Sequence, residues 1–287
     1  MPENNYVPDY KYIKYEIKDN IGWVTLNRPD KLNAINDDML FELDNMFELA
    51  EQDLDVKVLV IKGAGKAFSA GQDLSGVNTN EVLPPSSKRK LSSKASLEAA
   101  RRRSRRWEYI FNLCKPTIAQ VHGHCLGAGL YLAMACDITI ASDDAIFGDP
   151  SLRMGILPEF PLLAWLLGVK HTSAMLLCGK QFTAQEAELY GMVTKTVPKS
   201  KLEAEVNNLA KGISLLHSDA LAVAKDSINA TMEARGVGSA WKYTTDVSLL
   251  MQQRTHRPGE FNFEKIRDES GLKAAIEARD KPFPKLD

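Results

Sequence analysis

KPTIAQVHGHCLGAGLYLAMACDITIASDDAIFGDPSLRMGILPE, residues 115–159, is the stretch whose reading decides the rest of the chain. Residues 117–121 form a short β-branched run, 123–129 a glycine-rich turn and 130–136 an apolar segment, so the order is strand, tight turn, helix. Gly127 and Gly129 lack a Cβ, which lets a ligand come close to the backbone where the helix starts. The first N–H groups of a helix have no intrahelical partner, and together with the positive end of the helix dipole they favour developing negative charge. The same small residues also permit close packing of a helix on a sheet, and one G-x-G turn does not separate the two readings.

A second unit of the same kind lies upstream. DVKVLVIK at 55–62 reads as a strand of buried character, and GAGKAFSAGQDL at 63–74 follows it, with Asp73 as a candidate helix cap. Two such loops can bring two backbone N–H donors to one oxygen, the arrangement that an enolate or a tetrahedral thioester oxyanion needs. Neither loop has the spacing of a nucleotide-binding P-loop.

Composition sets the outer bounds. With 287 residues, 44% of them hydrophobic and 25% charged, the chain is that of a globular protein with one large domain or a core plus an appendage. A net charge of −1 gives no global attraction for nucleic acid or a membrane, so an anionic ligand must be met by local positive groups. Cys114, Cys125, Cys136 and Cys178 form no C-x-x-C pair, and no leader-like segment is seen, which implies reduced thiols in a cytoplasmic protein. No apolar run approaches a membrane span, and the terminal PFPKLD is not a peroxisomal address.

Around the central stretch, residues 1–10 read as a loosely held arm, and YIKYEIK at 12–18 with IGWVTLN at 21–27 as a hairpin. Asn36 or Asp37 can cap a helix running to about Gln52, with Met39, Leu40, Leu43, Met46, Phe47 and Ala50 on its apolar face. Strand pairs followed by a helix predict a repeated ββα build. Residues 75–96, with Pro84-Pro85, read as a surface loop, and 97–113 as a helix carrying Arg101, Arg102, Arg103, Arg105 and Arg106. That cluster reads as a solvated helix face, with ligand phosphates or another subunit's carboxylates as the functional alternative. His122 and His124 share a strand face beside Cys125, but no further ligand has a diagnostic spacing, so no metal is expected. From Phe160 onward the pattern is helical, with short helices at 162–168, 171–178 and 184–190, a strand at 192–197, and helices at 201–215, 218–234, 236–251 and 271–279.

RPDKLNAI at 28–35, KAFSAGQDL at 66–74, the 115–142 stretch, FGDPSLRMGILP at 147–158 and GKQFTAQEAELYGMVTKTVP together resemble the crotonase (enoyl-CoA hydratase/isomerase) superfamily, in family order over about the first two thirds of the chain. The resemblance implies an α/β fold with a repeated ββα spiral core over residues 1–200, and a C-terminal helical lid and trimerisation region over 201–287. It implies an acyl-CoA substrate, with coenzyme A entering as part of that substrate and no permanently bound cofactor, and a homotrimer or homohexamer. By motif, the oxyanion amides belong to Gln72 and Ala128, and Lys31, Leu32, Ala34, Ala70, Asp73 and Leu74 lie along CoA.

The departures bear on the reaction. Where the family's hydratases carry two glutamates, this chain has Tyr131 and Ser151, neither an adequate base near neutral pH, so standard hydration is not expected. Glu159 stands where some family isomerases carry a single base, and its neighbours ILPEFPLLAWLL are apolar, an environment that raises a carboxylate toward the working range of a base. Double-bond isomerisation with Glu159 as base is therefore the first reading. Hydration, C–C cleavage or hydrolysis using Asp149 and Tyr131 is the second. A non-enzymatic relative with an RNA-binding or scaffold role is the third.

Overall fold

The computed structural model describes residues 8–75, 93–252 and 257–283. Most of the expected N-terminal arm, the Pro84-Pro85 loop and the end of the PFPKLD tail lie outside the described residues.

Strands β1 (Ile13–Lys18) and β2 (Ile21–Leu26) form the expected hairpin. Its two turn residues, Asp19 and Asn20, have φ of 56° and 60°, a conformation that short polar side chains tolerate and that matches the twist of paired strands. Helix α1 (Asp37–Gln52) begins where the Asn36 side chain accepts the Met39 N–H, and it buries Met39, Leu43, Met46, Phe47 and Ala50 at helical spacing. Then follow β3 (Val58–Gly63), α2 (Ser93–Phe111), β4 (Thr117–Val121), β5 (His124–Leu126), α3 (Ala128–Ala135), β6 (Ile138–Ser142) and β7 (Ile146–Gly148). The remainder is α4 (Leu163–Leu166), α5 (Gly168–Leu177), β8 (Phe182–Thr183), α6 (Ala184–Leu189), β9 (Lys195–Val197), α7 (Leu202–Ser214), α8 (Ser218–Ala234), α9 (Val237–Gln252), α10 (Phe263–Ser270) and α11 (Leu272–Asp280).

Among the described residues the strands make two sheets. The larger runs β1-β2-β3-β4-β6-β9, parallel except for the β1–β2 hairpin; the smaller is β5-β7-β8. Side chains alternate across β3, so Leu59 and Ile61 enter the main core with α1 and α3, while Val58 and Val60 enter a second core. That second core is closed by Leu202, Val206 and Ala210 of α7. Thus α7, which the sequence reading grouped with the 201–287 appendage, covers one face of the main sheet. Among the described residues no helix is long and apolar enough to cross a membrane.

Three elements were not anticipated. Strand β5 lies inside what reads as one glycine turn, and two-residue β8 and α10 have too little periodicity of their own. Each is fixed by a tertiary partner: β5 by β7, β8 by β7, and α10 by α11 through Phe263 and Ala275.

Candidate active site

The two glycine loops lie against each other. Ser69 forms an isolated parallel bridge with Cys125: its N–H donates to the His124 carbonyl (2.9 Å), and its own carbonyl accepts from Leu126 N–H (3.0 Å). On the other side of the same loop, Ile35 bridges Gln72, with Ile35 N–H donating to Gly71 O and Asp73 N–H to Ile35 O, both at 2.8 Å. In a trans peptide the carbonyl and the N–H point in opposite directions, so with Gly71 O facing Ile35, the Gln72 N–H of the same peptide faces away. On that side stands the start of α3: a Cβ built on Gly71 would come within 3.7 Å of the Ala128 nitrogen. Among the described residues neither the Gln72 nor the Ala128 N–H has a hydrogen-bond partner.

Glycine is required at two points of this junction. Gly127 has φ 48° and ψ −118°, a conformation closed to residues with a Cβ, and it turns the chain from β5 directly into α3. Gly71 has φ +97°, and an added Cβ would stand 2.8 Å from the Leu126 carbonyl oxygen. The junction sets two backbone N–H groups on adjoining loops, with no room for a Cβ at Gly71, an arrangement that suits a developing oxyanion.

One turn into α3, Tyr131 is buried and donates its phenol hydrogen to Asp149 Oδ2, while Asp149 Oδ1 accepts the Ser151 N–H (2.9 Å). Asp149 follows β7, and β7 is tied to the glycine turn before α3 because Gly127 N–H donates to Gly148 O (3.0 Å). Burial pushes the Tyr131 phenol well above its ordinary range; the Asp149 charge and hydrogen bond add to this, as does the charge of Glu159. The phenol is therefore a fixed donor at neutral pH. An aromatic wall surrounds it: Phe160 stacks on the ring at 5.0 Å, Trp107 meets it edge-on at 5.8 Å, and Trp241 packs on Phe160 at 5.6 Å.

Glu159 lies within electrostatic reach of Tyr131, but its surroundings are not the apolar ones that its sequence neighbours imply. Arg103 of α2 donates Nε to Oε2 (3.0 Å) and Nη2 to Oε1 (2.8 Å), a bidentate pair that occupies both carboxylate oxygens. The partner comes from a residue 56 positions away, which local sequence cannot show. Arg106 is likewise bidentate to Asp44 of α1, at 2.6 and 2.7 Å, so two of the five clustered arginines turn inward and Arg101, Arg102 and Arg105 face solvent or the rim.

The residues expected along CoA come together beside Gln72. Ala70 N–H donates to Leu32 O (2.9 Å), so the 31–35 segment runs along 70–73. Lys31 and Leu32 are exposed and Ala34 is half-buried. Asp73 is not free to meet a ligand with its carboxylate: Oδ2 pairs with Arg28 (2.8 Å) and Oδ1 accepts from Ser75. Leu74 packs on Met154, Phe263 and Ala275, under the α10–α11 hairpin. His122 is a turn fastener, its Nε2 at 3.0 Å from Gly65 O, while His124 is exposed. Of the two long side chains that organise this region, Arg28 was not singled out by the sequence, and Arg103 was read only as part of a solvated arginine face, whereas it pairs with Glu159 of its own chain.

Comparison with known proteins gives consistent matches. The enoyl-CoA hydratase/isomerase family model matches residues 16–281. A putative enoyl-CoA hydratase of Mycobacterium tuberculosis is 37% identical over 247 residues, covering 81% of this chain and 78% of that protein. The hydroxycinnamoyl-CoA hydratase-lyase of Pseudomonas fluorescens is 30% identical over 283 residues, covering 96% and 99% respectively. The crystal structure of an enoyl-CoA hydratase/isomerase from Xanthobacter autotrophicus Py2 superposes with a TM-score of 0.83 at 32% identity, over 96% of this chain and 99% of that one.

Proposed function

The chain belongs to the enoyl-CoA hydratase/isomerase family of acyl-CoA enzymes, and from that premise we propose that it adds water to a 2-enoyl-CoA thioester, with Asp149 as the acid/base group and the Gln72 and Ala128 amides as the oxyanion site. The observation that carries this reading is the approach of two N–H groups, without a partner among the described residues, beside a buried Tyr131–Asp149 pair. The Asp149 carboxylate keeps spare lone pairs after serving Tyr131 and Ser151, so it can accept a water proton. As the water oxygen bonds to the β-carbon, the electron pair moves onto the thioester oxygen, where the two amides hold it. The protonated carboxyl then returns its proton to the α-carbon, and the net change is the addition of one water.

A relative that matches nearly end to end is named a hydroxycinnamoyl-CoA hydratase-lyase, and the Tyr131, Phe160, Trp107 and Trp241 wall favours a conjugated or aromatic acyl group. Isomerisation through Glu159 is the second reading; it draws on Tyr131 and Ser151 occupying the places of the two family glutamates, and it requires Arg103 to release Glu159. CoA enters as part of the substrate. Residues 31–34 and 70–74 take its length. A trimer or hexamer is in keeping with the exposed Leu215, Val223 and Ile228 on the outer helical surface.

A panel of crotonyl-, cinnamoyl- and hydroxycinnamoyl-CoA, read by mass, tests the proposal. Hydration adds one water, cleavage leaves a shorter acyl-CoA and an aldehyde, and isomerisation leaves the mass unchanged. Asp149→Asn should abolish water addition. A mass-neutral product that survives Asp149→Asn and disappears in Glu159→Gln would replace hydration by isomerisation.

A further inference from the structure

We infer that Arg28 is a positioning residue for the oxyanion site, joining the two strands of chain that flank Gln72 so that its N–H is held toward Ala128. This rests on the reading of Gln72 and Ala128 as the thioester-oxygen donors. The guanidinium makes three contacts: Nη1 donates to the Ala34 carbonyl, Nη2 donates to Asp73 Oδ2 (2.8 Å), and the group lies over the Tyr12 ring, 5.4 Å from its centre. Ala34 and Asp73 are the neighbours of Ile35 and Gln72, the bridged pair that orients the Gln72 peptide. The clamp therefore closes across the bridge from outside it.

The alternative for an arginine in such a loop is a phosphate contact with CoA. Its side chain is 14% exposed and the Asp73 side chain 12%, and the pair is already charge-matched. A phosphate would have to compete with Asp73 for a guanidinium fixed at both ends. Ser75 completes the arrangement by donating its N–H (3.0 Å) and hydroxyl (2.6 Å) to Asp73 Oδ1, so the carboxylate cannot swing away from Arg28 without losing them. The Arg28 backbone is held as well, its N–H donating to Oδ1 of buried Asn33 (2.9 Å).

The experiment compares the unmodified protein, Arg28→Gln, Asp73→Asn and Ala128→Pro on the best thioester of the panel, with two readouts. One is the kcat and KM split; the other is the infrared stretch of the thioester carbonyl of a bound, unreactive saturated acyl-CoA, isotope-labelled at that carbon. Polarisation by two amides lowers this frequency below that of free thioester. Arg28→Gln and Asp73→Asn should each lower kcat by about 10- to 100-fold, a displaced donor rather than a lost one. KM should change little, and the frequency should move back toward the free value. A frequency that equals the free value in the unmodified protein, or that Ala128→Pro leaves unchanged, sinks the oxyanion assignment itself. A lowered frequency that Ala128→Pro reverses but Arg28→Gln and Asp73→Asn leave intact overturns the Arg28 proposal alone. A rise in KM with the carbonyl frequency intact also overturns it, and assigns Arg28 to CoA.

Discussion

Gly71→Ala separates a merely tight turn from a working oxyanion site. Gly71 sits at φ +97°, where a residue with a Cβ is strained, at a cost on the order of 1–3 kcal/mol. The added carbon would stand 2.8 Å from the Leu126 carbonyl oxygen, so one of the two loops must yield by several tenths of an ångström. The Leu126 carbonyl is backbone at the end of β5 and cannot rotate away as a side chain would. The 70–73 loop should therefore move, carrying the Gln72 N–H away from Ala128. Losing one oxyanion donor costs about 10²–10³ in kcat. Urea unfolding should show a lower midpoint at an unchanged m-value, and kinetics on the best thioester should show the fall in kcat with KM changed by much less. A variant destabilised by this amount yet retaining its kcat would refute the claim that the two loops jointly hold the reacting oxygen.

Tyr131→Phe leaves the buried Asp149 one donor short and should cost about 1–3 kcal/mol of stability, read by urea unfolding, with a slower turnover but intact CoA binding. The Tyr131 phenol is raised in the folded state, so the unfolded chain gives up its proton first; this contribution is present below about pH 10 and is lost as pH rises further. The alkaline decline in stability should thus be shallower in Tyr131→Phe. Glu159→Gln keeps the shape and some of the Arg103 hydrogen bonding; under the isomerisation reading it should leave CoA binding nearly intact, yet stop both turnover and deuterium exchange into the acyl chain. Asp280→Asn should loosen α11, because Asp280 joins Arg279 (2.7 Å) to Arg153 (3.3 Å) of the 151–154 turn, and limited proteolysis should then cut nearer the C-terminus.

Legibility in the sequence followed how local the determining interaction is. The hairpin, α1 with its Asn36 cap and strand β4 appear where periodicity and turn chemistry place them, because each is encoded within a few residues. The glycine turns were legible for the same reason: a turn that needs positive φ at Gly71 and Gly127 advertises itself. Strand β5, by contrast, is three residues long and owes its strand character to Ser69 and β7. The environment of Glu159 failed to show because a window of apolar neighbours reports nothing about Arg103, which reaches in from another helix. Tyr131 and Asp149 could be named as candidates, yet that one donates to the other is a fact of packing between α3 and the end of β7.

The arrangement explains how the acid/base residues of such a site can differ from the two-glutamate pattern while the chemistry persists. The proposed oxyanion donors are peptide N–H groups, so no substitution of Gln72 or Ala128 other than proline removes them; what fixes them is the zipper from Leu32 to Asp73 and from Ser69 to Leu126. The proton-handling side chain is constrained only to stand near the bound α- and β-carbons. Asp149, the proposed acid/base group, lies on the segment that also carries Ser151, and the Ser151 N–H and the Tyr131 phenol both donate to its carboxylate. Glu159 arrives from the opposite end of the 151–159 turn and is held by an arginine that is 37% exposed. Of the two carboxylates, Asp149 is held by two neutral donors, the buried Tyr131 phenol and the Ser151 N–H, whereas Glu159 is held by a partly exposed cation. A water-adding step favours the first and a base released on binding favours the second, so Asp149→Asn and Glu159→Gln, each assayed for product mass, divide the reactions between them.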